Sequence, residues 1–363
     1  MAPKSLETSP ESDRFDDSLH PRESFDFFGH AEAETGLLRS CLSGHLPQAF
    51  IVGGPPGLGK ATLAWRLARF LLANPDPVAA AGQARADLFV APDHPVSRQI
   101  AAMAHPDLVL LRREWNEKDK RFFTEIRVED VRRAIRLFQQ AAGRGGYRIC
   151  ILDCAEDLNL SSANALLKLV EEPPPRSLFL IVAHRPGRML ATLRSRCQKI
   201  LRKPLAAADI GHIVAALGPP WSAACEAKLA AAIARAQGSI HKVLRLLDDR
   251  GIELDTNLGR MLDDLPRVDW SRVRALAERV TARNDDKDFE AMLAAIDAWL
   301  DARVRDGART FQGDCVRRLA PYALVWEKLA EAARETETFN LDKRPFVLSL
   351  FGDLAAAARG SSL

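Results

Sequence analysis

One unit constrains this chain more than any other: an apolar run that breaks at a glycine-rich loop and restarts as an amphipathic helix. Ala49-Phe50-Ile51-Val52 is wholly apolar, Gly53-Gly54-Pro55-Pro56-Gly57-Leu58-Gly59 cannot extend a strand, and ATLAWRLARFLLA has helical apolar spacing. A strand that enters a helix through such a loop gathers backbone amides at the helix N-terminus, the arrangement that cradles a phosphate. Lys60 follows the last glycine, where its ammonium would face the β and γ phosphates. The next position should carry the hydroxyl that binds Mg²⁺, and it is Ala61. Thr62 comes one residue late, and a helix turns about 100° per residue, so its hydroxyl should point elsewhere. Gly54, Gly57, Gly59, Lys60 and Thr62 are therefore candidate cofactor-binding residues of a degenerate loop; the alternative is a glycine turn kept only for packing.

Further apolar runs at Leu108–Leu111, Arg148–Asp153 and Leu178–Ala183 alternate with helical patterns at Val128–Ala142 and Ala163–Glu172. Gly143, Gly145 and Gly146 end the first helix; Pro173-Pro174-Pro175 stops the second, because proline supplies no amide hydrogen. Arg132, Arg133 and Arg136 share the polar side of the first helix. Strands that are almost wholly apolar and separated by helices predict a parallel sheet covered on both faces, an α/β domain over residues 21–204. Residues 74–106 read as a linker, and residues 1–20 as a disordered acidic tail whose composition cannot bury enough apolar surface to offset chain entropy. After Pro204 the pattern turns helical (AAADIGHIVAALG, IHKVLRLLDD), giving a small helical lid domain over 205–250 and an all-α domain over 251–363 with breaks at Pro266, Asn284 and Gly307. Phe311, Leu319, Tyr322, Leu324, Val325, Trp326 and Leu329 exceed one surface stripe and imply a thick core or a subunit interface.

A net charge of +3 over 363 residues argues against a globally basic nucleic-acid binder, so any DNA contact must be local. The six cysteines form no C-x-x-C pair, and no apolar stretch approaches the roughly 20 residues a membrane span needs; a reducing cytoplasm is the expected location.

The third strand ends in Asp153-Cys154, where an active ATPase of this class would end in Asp-Glu. Asp153 joins the candidate nucleotide residues, but a thiol does not replace the carboxylate that polarises the attacking water. Two independent elements thus lack groups that hydrolysis requires.

The run Ser162-Ala163-Asn164-Ala165-Leu166-Leu167-Lys168-Leu169-Val170-Glu171-Glu172-Pro173-Pro174, followed by Ser195-Arg196-Cys197, resembles the AAA+ clamp-loader family of bacterial DNA polymerase III. The resemblance covers most of residues 21–245. It implies a P-loop, RecA-like AAA+ sheet domain, the helical lid, and a helical oligomerisation collar after it. Among that family's subunits the chain is most like the one that is not the motor. The resemblance then makes Arg196 the catalytic group, an arginine finger acting in trans on a neighbour's ATP, with Arg194 as support. In the same way the family's second sensor arginine is replaced by His241 in Gly238-Ser239-Ile240-His241, read as a surface residue in preference to a weak phosphate contact. Many relatives carry a four-cysteine zinc module after the loop helix, and residues 74–105 contain no cysteine, so no zinc is expected. ATP binding is left open, with no cofactor required and no hydrolysis expected. The implied partners are a tau/gamma-type motor subunit, a delta subunit, the sliding clamp and primed DNA, with Lys168 as a DNA-contact candidate beside a basic bias at Arg185, Arg188, Arg194, Lys199, Arg202 and Lys203. Nucleotidyltransferase activity would belong to the polymerase assembly. The competing readings are an AAA+ motor that hydrolyses ATP itself and a small-molecule kinase on a P-loop fold.

Overall fold

A computed structural model describes residues 10–15, 18–79, 85–139, 146–281, 287–310, 315–338 and 341–360. The chain divides into two units, Met1–Leu244 and Arg245–Leu363.

The first unit is built on strand β1 (Ala49–Gly53), reached through helix α1 (Ala31–Leu42) and left through helix α2 (Lys60–Ala73). Then follow α3 (Pro95–Ala101), β2 (Leu108–Leu111), a small hairpin β3 (Trp115–Asn116) and β4 (Arg121–Phe122), and α4 (Val128–Gln139). The sheet is completed by β5 (Arg148–Leu152), α5 (Leu160–Glu171), β6 (Ser177–Ala183), α6 (Ala191–Ser195) and β7 (Gln198–Leu201). The main sheet runs β2-β5-β6-β1-β7, every pair parallel, so β1 lies between β6 and β7 although they are remote in sequence.

Because side chains alternate across a strand, each apolar run serves two cores. Phe50 and Val52 of β1 face Trp65, Leu67 and Phe70 of α2, together with Leu37 and Leu38 of α1. Ala49 and Ile51 face the opposite layer, where Val131 and Phe138 of α4, Leu166 of α5 and Leu193 of α6 pack on Cys150, Phe179 and Ile181. Each such large side chain withdrawn from water contributes about 1.5–3 kcal/mol. Asn159 caps α5 by accepting from the Ser162 amide at 2.8 Å, and the buried Ser162 hydroxyl donates to the Ile126 carbonyl at 2.7 Å, tying this helix to the start of α4.

Several elements lie where the residue pattern showed no strand or helix. The edge strand β7 is polar at Gln198-Lys199 and mostly exposed, which hides its period. The stretch read as a linker contains α3, whose N-terminus His94 caps by accepting from Val96 at 3.2 Å. Glycines 143 and 145 lie outside the described residues.

The segment read as a disordered tail differs in its described part. Glu11 receives Arg22 at 2.6 Å and Arg112 at 3.0 Å, and Asp13 lies 2.9 Å from His20 Nε2 and pairs with Arg112. Composition counted these acids as solvated, whereas arginines from distant positions supply the partners that let them be buried.

After β7 the first unit continues with α7 (Ala207–Leu217), α8 (Glu226–Ala236) and α9 (Ile240–Leu246), the last crossing the unit boundary. The second unit holds α10 (Asp249–Asp263), α11 (Trp270–Thr281), α12 (Lys287–Thr310), α13 (Cys315–Thr338) and α14 (Lys343–Gly360). Pro266 falls between α10 and α11 as expected, and Asn284 and Phe311 lie outside the described residues. Gly307 is no break. It sits inside α12 at a close approach, where a Cβ would come within 2.5 Å of Leu319 Cδ2. Leu319, Tyr322, Val325 and Leu329 are buried, the last three in one core with Phe289, Ile296, Leu300, Phe351 and Leu354, and Trp326 packs against it while donating to Asp297 at 2.5 Å. That cluster is therefore mostly core; Leu324, 59% exposed, is the exception. No helix among the described residues is long and apolar enough to cross a membrane.

Candidate nucleotide site and arginine loop

At the C-terminal edge of the sheet, Gly57 and Gly59 take positive φ (77° and 70°), which lets the loop between β1 and α2 turn back on itself. The loop is covered. A Cβ on Gly57 would meet Ser239 Oγ at 2.5 Å and the His241 amide nitrogen at 2.7 Å. Ile240 N–H donates to the Gly57 carbonyl at 3.0 Å, and the Ser239 hydroxyl to the Pro56 carbonyl at 2.9 Å. His241 is half-buried: its backbone packs on the loop, and its ring stacks on Phe15 with centroids 4.2 Å apart.

Lys60 is buried at 3% exposure, and its ammonium donates to the Pro55 carbonyl at 2.6 Å. Burial lowers its pKa to about 8, against the opposing pull of Asp153 and Glu156. Asp153, just past β5, is pushed up to about 7, first by burial and then by the charge of Asp13. Ala61 packs with the α1–α2 core and offers no ligand; Thr62 is the third residue of α2.

Cys154 adopts left-handed backbone (φ 59°), and burial raises its thiol well above the usual value, so it is held as the neutral acid. A neighbouring carboxylate is already engaged. Glu156 accepts the Arg185 amide with one oxygen and the Cys154 thiol, at 3.7 Å, with the other.

Two groups that sequence reasoning missed face this loop. Arg202, counted above with a surface basic bias, is instead 5% exposed, and none of its three guanidinium nitrogens has a hydrogen-bond partner. Its Nη2 lies 3.9 Å from where a Gly59 Cβ would be, and its guanidinium carbon lies 5.2 Å from the Phe27 ring centroid. Burial lowers its pKa to about 10. His184, immediately after β6, has a buried Nδ1 without a partner, and burial, then the charge of Lys60 and that of His241, hold it well below the usual imidazole range. The only sequence trace of either was a polar residue at the end of a strand.

Arg196 lies elsewhere, at the C-terminal cap of α6. Its guanidinium donates to the Thr192 carbonyl at 2.9 Å and pairs with Glu171 of α5 at 2.7 Å, with the side chain 42% exposed. Arg194 bonds the carbonyls of Pro186 and Gly187 at 3.3 and 3.2 Å, tying the helix to the preceding turn. Lys168 is exposed on α5 and lines a groove of about 520 Å³ between α4 and α5, with Arg132, Asn164 and Glu172.

A family model described as "DNA polymerase III, delta subunit" matches residues 29–206, and the chain is 36% identical over 185 residues to the DNA polymerase III subunit delta' of Pseudomonas aeruginosa. Residues 29–206 thus match a DNA polymerase III delta subunit model and are similar in sequence to DNA polymerase III delta' subunits. The Pseudomonas alignment covers 50% of this chain and 51% of that protein. DNA polymerase III subunit tau of Escherichia coli K12 is 28% identical over 291 residues, 75% of this chain and 42% of the other. The chain thus spans about half the length of the curated relatives it matches. Among solved structures, a gamma subunit-related protein of Thermotoga maritima aligns over 90% of this chain and 99% of its own at 15% identity, with a TM-score of 0.37.

Proposed function

We propose that this chain is a delta-prime-type subunit of a clamp loader, a non-hydrolysing member that completes the ATP site of a neighbouring tau/gamma-type motor with Arg196 and so assists loading of the sliding clamp on primed DNA. The observation that carries the reading is the contrast between the two sites. The chain's own loop is covered and lacks both a magnesium hydroxyl and a base, whereas Arg196 stands at the surface, where its one carboxylate partner is the exchangeable Glu171 and its other side-chain contact is the Ser195 hydroxyl at 3.4 Å. A γ-phosphate would replace Glu171 as the guanidinium's anion, with the Thr192 carbonyl still fixing its orientation. Fingers supplied in trans are worth roughly 10³–10⁵ in rate, because they neutralise charge spreading over the phosphoryl oxygens.

The helical second unit is assigned to oligomerisation with the motor and a delta subunit. Lys168, beside Arg132 in the α4–α5 groove, is assigned to a phosphate of the duplex. The test is DNA- and clamp-stimulated ATP hydrolysis by a loader reconstituted from its motor and delta subunits with this chain or its Arg196→Ala variant. A fall of at least tenfold with assembly intact supports the finger; an unchanged rate overturns it. For Lys168, charge reversal should weaken binding to primed DNA with a shallower salt dependence.

A further inference from the structure

The described residues between Glu11 and Phe15 run across the edge of the sheet that carries the phosphate-binding loop. At one end, the Ser12 hydroxyl donates to the Arg113 carbonyl at 2.8 Å, just beyond β2. Glu11 is clasped by Arg22 through two bonds of 2.6 and 3.2 Å and by Arg112 at 3.0 Å. The Asp13 carboxylate, 2% exposed, lies between His20 and Arg112 and acts on Asp153. At the other end Phe15 stacks on His241 at an interplanar angle of 15°, and His241 in turn packs on Gly57. This short segment therefore reaches from the end of β2, within electrostatic range of the acid that follows β5, to His241, which packs on the loop.

Beneath it the chemistry of an anion site persists. Lys60 and Arg202 are both buried; Lys60 has only a loop carbonyl, and Arg202 has no acceptor at all. His184 presents a further buried nitrogen without a hydrogen-bond partner. An ionised group buried without a partner is strongly unfavourable, and the partner a guanidinium takes is an oxyanion. The amides at the start of the fourteen-residue α2 converge on the same place.

We propose that Glu11–Phe15 is an internal plug that keeps polyphosphate out of a loop still built to bind one. Displacing the plug admits the triphosphate of a nucleotide or a free tripolyphosphate, which Arg202 and Lys60 neutralise. Binding is silent, since no base is present. The plug thereby keeps this chain from competing with its neighbours for nucleotide.

The test uses the full chain and leaves Glu11 and Asp13 intact, because they satisfy buried partners. ATP binding is measured by calorimetry for the wild type, for Phe15→Ala and for the milder Ser12→Ala/Phe15→Leu, with circular dichroism verifying the fold; if the first variant does not fold, the second decides. The expected result is at least a tenfold gain in ATP affinity over wild type, lost again when Arg202→Met is added. Competition by inorganic tripolyphosphate distinguishes recognition of the phosphates alone from recognition that also needs the nucleoside. An affinity equal to the wild type's, or a gain that survives Arg202→Met, overturns the proposal.

Discussion

Arg196 and Glu171 face one another across the surface where α6 ends and α5 ends, Nη2 to Oε1 at 2.7 Å, and both side chains are more than a third exposed. An exposed pair of this kind contributes only about 0–1 kcal/mol, so it orients the arginine at little cost to its release. Replacing Glu171 with Gln should change unfolding free energy by less than about 1 kcal/mol in urea titrations. In the reconstituted loader the same variant should leave hydrolysis within about twofold, a 0.4 kcal/mol effect, unlike Arg196→Ala.

Gly57 gives a sharper structural prediction. It combines φ 77° with contacts of 2.5 and 2.7 Å awaiting any Cβ, so Gly57→Ala must displace the start of α9 from the loop. The cost should be about 1–3 kcal/mol, read by chemical denaturation. Gly187→Ala, with nothing within 4 Å of its Cβ, is the control and should fall within about 0.5 kcal/mol of wild type.

Asp153 makes stability depend on pH. Its folded pKa, raised to about 7 by burial, lies above the unfolded value of 3.8. Between those two pH values the folded state holds the extra proton, so this group's contribution falls as pH rises toward 7 and is flat beyond. Asp153→Asn should therefore match the wild type near pH 4 and be more stable than it at pH 8, by on the order of a few kcal/mol. Urea titrations of both proteins at the two pH values test this; a difference that does not grow with pH contradicts it.

Glu34 supports the loop helix from behind. Both it and Arg66 are buried, and Glu34 also accepts the Leu88 amide at 3.1 Å. Glu34→Ala would strand a buried guanidinium, at a cost of about 3 kcal/mol, the low end of the usual range because Asp87 remains 3.3 Å from Arg66. Thermal unfolding should show it, and restoration of the carboxylate as Asp should recover little, since the shorter side chain does not reach.

The parts read correctly from sequence were those with a strong local signal. Apolar runs at 49–52, 108–111 and 178–183 are strands because six or fewer consecutive apolar residues between turn signals suit a sheet buried on both faces. The loop, Ala61 and Cys154 were legible because a motif fixes which residue should stand at each position. Strand β7 was not: half its residues are polar, and it is a strand because β1 offers it an edge. Arg202 and His184 were equally hidden, since an arginine in a basic stretch looks solvated until the chain folds it under a loop.

By itself, the sequence determined the strands with strong apolar runs, Ala61 and Cys154 at two motif positions, and the presence of Arg196 after Ser195. Those are properties of covalent order and short-range spacing. Tertiary structure alone decided that the acidic segment near residue 13 is packed, that His241 seals the loop, and that Arg202 is buried without an acceptor. Each depends on groups about 100 or more residues apart meeting, Asp13 with Arg112 and Phe15 with His241, and the free energy of such pairings comes from shared exclusion of water that no local window contains.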